Sequence, residues 1–233
     1  MKTLLVDLDD TLLDYTGGVN ESWLEACRAV AAPAGLDPIA LADAIGRTRR
    51  WFWDDPGRAR RERLRMLEAW GAISGHALAE IGAPDPAMAA AIAEDFATRR
   101  WQRMALFPGV EDALHRLRAR GVSLALVTNG DVRQQRRKVA QYDLARFFDV
   151  ILIEGEFGAG KPDESVYRHV LGALDADPSD AWMVGDNLEW DVAAPQRLGL
   201  GGIWVDGPGQ GLPVSSPVVP HRIIRTFPEL IGD

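Results

Sequence analysis

Two carboxylates lie two residues apart near the start of the chain, where an apolar run gives way to acidic residues. Asp7 and Asp9 belong to the segment Asp7-Leu8-Asp9-Asp10-Thr11. Such a pair at a strand end suits a hard cation such as Mg²⁺, which takes one or two carboxylates and leaves coordination positions for phosphate oxygens. Acidic residues are also common in the solvated turns after strands, so this motif alone leaves a metal site and a plain turn open.

Three further segments carry polar groups that are typical of phosphate and metal sites. Thr128 and Asn129 end the second apolar stretch with a hydroxyl and an amide, although both residue types also form ordinary turns. Lys161 lies in a glycine-rich loop and is one of only three lysines, which hints at a need for a compact point charge, although a surface salt bridge would also explain it. Asp186 follows another apolar run and Asp191 lies about one helical turn later, so both carboxylates could approach one site.

The glycine-rich loop also matches most of a nucleotide-binding motif. Residues 155–161 follow the pattern G-x-x-x-x-G-K, but the next residue is Pro162, where a Walker A loop has Ser or Thr. Proline supplies neither the hydroxyl that contacts Mg²⁺ nor a main-chain N–H. We therefore exclude a nucleotide triphosphatase.

The elements that must position these residues are short apolar strands separated by helices. Strands are predicted at 3–8, 122–128, 150–153, 181–185 and 202–205, with helices at 110–120, from about 162, and from about 187 to 198. Short strands without polar alternation predict a parallel sheet covered by helices on both faces, which is a three-layer, Rossmann-like α/β fold. Ligands of such sheets bind beyond the carboxyl ends of the strands, which is where all four motifs lie. The segment 206–220, rich in glycine, proline and serine, is predicted to be a surface loop.

The middle of the chain has a different pattern. Residues 15–104 show helical spacing at about 19–33, 38–53, 57–81 and 86–104 and no convincing strand. We predict a helical cap domain at 15–104, inserted into a core formed by 1–14 and 105–233. Aromatic and arginine side chains of the cap could contact a substrate, or could simply pack between helices and line a solvated face; the candidates are Arg47, Arg50, Trp51 and Trp53.

Composition limits the partners. The net charge of −8 argues against a nucleic-acid polymer, and no apolar run is long enough for a membrane span. The single cysteine, Cys27, cannot form an internal disulfide, and nothing else indicates an oxidising compartment. We expect a cytoplasmic protein without a membrane segment, either a monomer or a homodimer.

Taken together, the four motifs resemble those of the haloacid dehalogenase (HAD) superfamily, whose members are mostly phosphatases. They occur in the family's order, and the resemblance covers residues 1–14 and 105–225. The long interval between the first two motifs is where the family places its class I helical cap. The resemblance implies a HAD-like core with that cap inserted.

The resemblance also implies the chemistry of the site. Asp7 would be the nucleophile that forms an aspartyl-phosphate, and Asp9 would protonate the leaving oxygen and then activate water. Lys161 and Mg²⁺ would neutralise the negative charge that otherwise keeps a carboxylate away from a phosphate dianion.

The binding residues follow from the same resemblance. Thr128 and the amide of Asn129 would hold phosphoryl oxygens, and Thr11 would shape the first loop. Asp186 would hold the metal together with Asp7 and the main-chain carbonyl of Asp9. Asp191 would orient the metal's waters or Lys161.

The predicted function is Mg²⁺-dependent hydrolysis of a small phosphorylated metabolite, either a nucleoside monophosphate or a sugar or other organic phosphate. The dehalogenase branch of the family lacks the second acid, so Asp9 favours phosphate-ester hydrolysis, whereas a phosphomutase would keep both acids and stays an alternative. A catalytically silent binding or regulatory module would have lost a motif residue, and this chain has lost none of them.

Overall fold

The computed structural model describes residues 1–232 and divides the chain into two units. One unit, the core, comprises Met1–Tyr15 and the chain from Ala105 onward, and the other, the cap, comprises Thr16–Met104. Within the described residues, none of the helices combines the length and the apolar character needed to cross a membrane.

The core is built on a parallel sheet that has six strands within residues 1–232. Hydrogen-bonded neighbours follow the order β3-β2-β1-β4-β5-β6, and every neighbouring pair is parallel. The predicted α/β fold with a parallel sheet is therefore confirmed. The strands are β1 (Thr3–Val6), β2 (Ser123–Thr128), β3 (Val150–Ile153), β4 (Ala181–Gly185), β5 (Gly201–Val205) and β6 (Arg222–Ile224).

The central strands are apolar over most of their length because they have no solvent side. All four residues of β1 are buried, and so are residues 124–127 of β2. Strands that carry helices on both faces form continuous apolar runs rather than alternating ones. The apolar runs of β1 and β2 therefore end at polar residues: Asp7 comes directly after β1, and β2 ends with Thr128.

Strand β6 is not predicted by the sequence pattern. It is the edge strand beside β5, and its residues Arg222 and Ile223 are exposed. A three-residue edge strand that begins with arginine has neither the length nor the apolar run that indicates a strand. The described residues 207–220 before it contain no helix or strand, in agreement with the predicted surface loop.

The cap, all of whose residues are described, is helical. Asp37, Asp55 and Asp85 each precede a proline, and each accepts a hydrogen bond from a main-chain N–H in the first turn of the helix that follows. Aspartate is favoured before a helix for this reason, and proline is favoured at the first helical position because its missing N–H would have no partner there. The helices are α1 (Val19–Val30), α2 (Pro38–Asp54), α3 (Pro56–Glu62), α4 (Met66–Glu80) and α5 (Pro86–Arg103).

The prediction of one helix over 57–81 is wrong, because α3 and α4 are separate. The N–H of Arg65 bonds to the carbonyl of Glu62, three residues back, and its φ of −142° and ψ of 56° lie outside the helical region. Five arginines occupy this stretch, and like charges three or four residues apart destabilise a continuous helix. They are Arg58, Arg60, Arg61, Arg63 and Arg65.

The helices of the core cover its sheet. On α6, the apolar residues Val110, Ala113, Leu114 and Leu117 are buried, as their spacing predicts. The predicted single helix after residue 187 is interrupted, because a π-helical turn at Leu188–Ala193 precedes a short helix with proline in its first turn, where a missing N–H is tolerated. The helices are α6 (Val110–Ala119), α7 (Val132–Gln141), α8 (Glu154–Phe157), α9 (Glu164–Ala173) and α10 (Ala194–Arg197).

The two chain segments that lead to and from the cap pair with each other inside the core. Leu13 and Leu106 form an antiparallel bridge, and the N–H of Asp14 donates to the carbonyl of Ala105 at 2.9 Å. The inserted residues therefore leave and rejoin the core at two adjacent points.

Candidate active site

The candidate site lies at the carboxyl ends of β1, β2 and β4, at the centre of the sheet. Val6 of β1 is level with Leu126 of β2 on one side and with Val184 of β4 on the other, and the N–H of Asp7 donates to the carbonyl of Val184 at 3.0 Å. The chain runs from β1 to β2 and β3 on one side of the sheet and then to β4, β5 and β6 on the other. Such a reversal opens a crevice beyond the strand ends, where ligands of open α/β sheets bind.

Lys161 joins two of the predicted site residues. Its Nζ donates to Oδ1 of Asp7 and to Oδ1 of Asp191, both at 2.6 Å. All three side chains are buried. Burial alone would lower the pKa of Lys161, but Asp191 and Asp7 raise it above its ordinary value. The lysine therefore remains charged and acts as a buried counter-ion between two carboxylates.

Asn129 holds the loop that carries Lys161. Its Nδ2 donates to the main-chain carbonyl of Lys161, and its Oδ1 accepts from the main-chain N–H of Lys161, both at 2.8 Å. The side-chain amide is thus bonded to the lysine loop, and the role of Asn129 in holding a phosphoryl oxygen stays a prediction.

Two glycines allow the close approaches that the site requires. A Cβ on Gly185, at the end of β4, would overlap the carboxyl group of Asp191. A Cβ on Gly160 would overlap the carboxyl group of Glu154 and the side-chain oxygen of Asn129. Both contacts are with side chains packed into the site, so neither glycine can be replaced without moving a polar group there.

Three carboxylates form a group that could hold a cation. Oxygen atoms of Asp7, Asp186 and Asp191 all lie within 4.8 Å of one another. Burial, opposed by Lys161 and reinforced by Asp191, raises the pKa of Asp7 to about 7. Desolvation and the neighbouring Asp7 and Asp191 raise the pKa of Asp186 to about 8.

This donor set fits Mg²⁺. Hard divalent cations prefer carboxylate and carbonyl oxygens, and a cation would stabilise the ionised forms of Asp7 and Asp186, which burial and the neighbouring carboxylates disfavour. The three carboxylates of this group, Asp7, Asp186 and Asp191, lie around the ammonium of Lys161, which binds two of them, so negative charge is in excess there and a cation would balance it.

Two threonines complete the inner part of the site. The hydroxyl of Thr11 donates to Oδ2 of Asp7 at 3.2 Å, so both oxygens of Asp7 accept hydrogen bonds. Thr128, at the end of β2, is buried, and its Oγ1 accepts from Nε2 of Gln135 at 2.5 Å.

Asp9 is held by two residues that the sequence analysis does not single out. Nζ of Lys138 donates to Oδ1 of Asp9 at 2.8 Å and to Oδ2 at 2.7 Å, and Nε2 of Gln135 reaches Oδ2 at 3.1 Å. Gln135 and Lys138 are three residues apart on α7, and both are buried. The rarity of lysine, which points to Lys161, applies equally to Lys138 and could have identified it.

The four candidate substrate contacts all belong to the cap, and their surroundings differ. Arg47 donates from Nε and Nη2 to Oε1 of Glu80, at 2.9 and 2.6 Å, and Arg50 is exposed. Trp51 is 52% exposed, and the guanidinium of Arg58 lies over its ring, 4.2 Å from the centroid. Trp53 is half-buried and packs against the apolar core of the cap.

The chain matches a family model and curated proteins over most of its length. The family model, described as haloacid dehalogenase-like hydrolase, matches residues 1–199. A phosphoserine phosphatase of Thermus thermophilus is 36% identical over 224 residues, which cover 88% of this chain and 89% of that protein. A ribulose-1,5-bisphosphate 5-phosphatase of Halopiger xanaduensis is 30% identical over 199 residues, covering 84% and 81% of the two chains.

Solved structures share the fold. The magnesium-bound HAD-hydrolase YfnB of Bacillus subtilis superposes with a TM-score of 0.72 at 22% identity, over 98% of this chain and 96% of that one. A 2-haloacid dehalogenase of Pseudomonas syringae superposes with a TM-score of 0.64 at 28% identity, over 99% and 97% of the two chains.

Proposed function

The chain belongs to the haloacid dehalogenase-like hydrolases, as a phosphatase of that family, and we propose that it hydrolyses the phosphate ester of a small metabolite with the help of Mg²⁺. The observation that carries this proposal is the buried contact of Lys161 with Asp7 and Asp191, at 2.6 Å each. It combines a nucleophile and its counter-charge in the crevice where ligands of such sheets bind.

Asp7 is the proposed nucleophile. One of its carboxylate oxygens bonds to phosphorus while the bond from phosphorus to the leaving oxygen breaks, which gives an aspartyl-phosphate. A carboxylate attacks a phosphate dianion only where the negative charge is neutralised, and the ammonium of Lys161 contributes to this. Thr11 and Lys161 bind different oxygens of Asp7, so they fix the direction of its side chain.

Asp9 is the proposed acid and base. In the first step the proton that Asp9 carries passes to the leaving oxygen, and Asp9 becomes the carboxylate that pairs with Lys138. In the second step its carboxylate takes a proton from the water that attacks phosphorus, and this releases orthophosphate and regenerates Asp7. A halide leaves without a proton, so the presence of Asp9 supports phosphate-ester hydrolysis over carbon–halogen cleavage.

Asp7, Asp186 and the main-chain carbonyl of Asp9 are the proposed ligands of Mg²⁺, and Asp191 lies beside them. When bound, the cation supplies positive charge that stabilises the phosphoryl oxygens. Thr128 and the amide of Asn129 are the proposed contacts to those oxygens at the end of β2. Asp191 accepts a second hydrogen bond from Nζ of Lys161, in addition to that of Asp7, and so helps to keep the ammonium in place.

Small phosphorylated metabolites are the proposed substrates, either nucleoside monophosphates or sugar and other organic phosphates. The names of the two curated relatives, one for phosphoserine and one for a sugar bisphosphate, support this class. The cap residues Arg47, Arg50, Trp51 and Trp53 are proposed to contact the rest of the substrate, because guanidinium groups and aromatic rings bind anionic and ring-shaped groups. The proposal includes a cytoplasmic monomer or homodimer that binds neither membranes nor nucleic-acid polymers.

Orthophosphate release from a panel of O-phosphoserine, sugar phosphates and nucleoside monophosphates tests the proposal. We expect release from at least one ester in Mg²⁺, none in EDTA, and none with Asp7→Asn. Protein quenched in acid during turnover should carry phosphate on Asp7. Activity of Asp7→Asn would refute the covalent mechanism, and an isomeric phosphate ester instead of orthophosphate would indicate a phosphomutase.

A further inference from the structure

A buried cation on α7 contacts the proposed acid of the reaction. Lys138 is 2% exposed, and its Nζ binds both carboxylate oxygens of Asp9, at 2.8 and 2.7 Å. The ring of Tyr15 covers the ammonium, with 4.2 Å between Nζ and the ring centroid. Burying a charge is costly unless it is well paired, so the buried ammonium of Lys138 depends on its contacts with Asp9.

Lys138 is too deeply buried to meet a substrate, whereas Asp9 keeps 24% of its side chain exposed. Without such contacts the carboxylate of Asp9 would rotate among several rotamers. Proton transfer to the leaving oxygen needs one orientation, so the other rotamers would slow it. The two contacts from one ammonium hold both oxygens of Asp9 and so restrict that rotation.

Gln135 connects this ion pair to the end of β2. Its Nε2 lies 2.5 Å from Oγ1 of Thr128, 3.1 Å from the carbonyl of Asn129 and 3.1 Å from Oδ2 of Asp9. One amide group thus contacts the proposed acid and the proposed phosphate-binding residues together. Asp9 and Thr128 are therefore bridged by a side chain that belongs to neither motif.

We propose that Lys138 and Gln135 are positioning residues that hold the carboxyl group of Asp9 in line for proton transfer to the leaving oxygen. This inference rests on the proposed function. It predicts that loss of either residue affects the reaction in proportion to how much the leaving group needs a proton. In the first step the P–O bond breaks and the oxygen receives the proton of Asp9, and a leaving group that is stable as an anion needs that proton least.

The test compares two esters of similar shape, phenyl phosphate and 4-nitrophenyl phosphate. Release of the phenol is followed with enzyme in excess, so that only the first step is measured. For Lys138→Met we expect the rate with phenyl phosphate to fall at least about tenfold more than the rate with 4-nitrophenyl phosphate, within the factor of about 10²–10⁴ that general acids typically contribute. Gln135→Leu should show a smaller effect in the same direction, and it tests the proposal even if Lys138→Met does not fold.

Two further variants serve as references. Arg136→Met removes an exposed ion pair, that of Arg136 with Glu156, from the same helix, and it should leave both rates unchanged. Asp9→Asn should show the full selective loss with phenyl phosphate. Thermal unfolding of each variant separates a loss of folded protein, which lowers both rates equally, from a loss of positioning.

The outcomes separate the inference from the function on which it rests. If Asp9→Asn is selective but Lys138→Met and Gln135→Leu lower both rates equally, leave both unchanged or favour phenyl phosphate, the positioning role is wrong and the proposed function stands. If Asp9→Asn itself shows no selectivity, or the wild-type protein cleaves neither ester nor any other phosphate, the assignment of Asp9 fails and the inference fails with it.

Discussion

Asn129 binds Lys161 through both ends of its side-chain amide, which closes on the main-chain N–H and carbonyl of the lysine at 2.8 Å each. This pair of hydrogen bonds joins the end of β2 to the loop after α8. The side chain of one motif therefore places the backbone of another, although 31 residues separate them in the sequence.

Replacement of Asn129 by alanine should displace the lysine loop. Two main-chain groups of Lys161 would lose their partners, which costs about 1–3 kcal/mol for each one left unsatisfied in a buried site. We expect a lower Tm and a fall in kcat that exceeds any change in KM, because the ammonium of Lys161 would no longer be held beside Asp7. Asn20→Ala, on the cap, should change neither quantity much, and a similar effect of both variants would contradict this account.

Mg²⁺ should bind more tightly as the pH rises from about 6 to about 8. The pKa values of about 7 for Asp7 and about 8 for Asp186 mean that protons occupy the proposed metal ligands at low pH, and a cation must displace them. Because both pKa values are raised on folding, the metal-free protein should itself lose stability as the pH rises through this range.

Thermal unfolding in EDTA and in Mg²⁺ across this pH range provides the measurement. The increase in Tm caused by Mg²⁺ should be small at pH 6 and large at pH 8, and Asp186→Asn should reduce it at every pH. An increase that does not depend on pH would show that the carboxylates are already ionised without the metal.

The absence of a side chain at Gly185 should be essential. A Cβ there would overlap the carboxyl group of Asp191, so Gly185→Ala must push Asp191 away from Lys161. We expect a loss of about 1–3 kcal/mol in the free energy of unfolding, as for other overpacked sites, together with a large loss of kcat. Gly172→Ala is the matched control: it lies near the end of α9 with open space around it, and it should be neutral or stabilise the protein by about 0.5–1 kcal/mol.

An exposed tryptophan of the cap offers a test of substrate contact. Trp51→Ala should raise KM several-fold with little change in kcat if its ring binds the substrate beyond the phosphate. Substrate should also quench the tryptophan fluorescence of the wild-type protein and quench it less in the variant. Ile39→Ala removes another exposed apolar side chain of the same helix, α2, and should have no effect on KM. An unchanged KM for Trp51→Ala would exclude this residue from the substrate site.

Three of the four motifs could be located from the sequence because a buried parallel strand ends where its apolar run gives way to polar residues. Asp7, Thr128 and Asp186 each follow an apolar run, and the change from apolar to polar residues coincides with the edge of the sheet. The topology then brings these ends together, so residues far apart in the sequence become neighbours without any local signal of their contact.

Gln135 and Lys138 could not be found by the same argument. Helix α7 is polar along most of its length, and helical periodicity does not show which of its polar residues face the protein. Their burial depends on Asp9, which lies more than 120 residues earlier in the chain. Strand β6 and the break between α3 and α4 were missed for a related reason, since exposed or charged segments carry little of the apolar pattern on which such predictions rely.

The pairing of Leu13 with Leu106 gives the inserted residues an entrance and an exit that lie side by side, as the two ends of a hairpin do. The entropic cost of holding the ends of a flexible insertion together rises by only about 0.6 kcal/mol for each doubling of its length. Insertions of very different size, or a tight turn in place of residues 16–104, could therefore occupy this point at nearly the same cost to folding. Under the proposed function the inserted residues contact the substrate and the strand ends carry the chemistry, so the two can evolve independently.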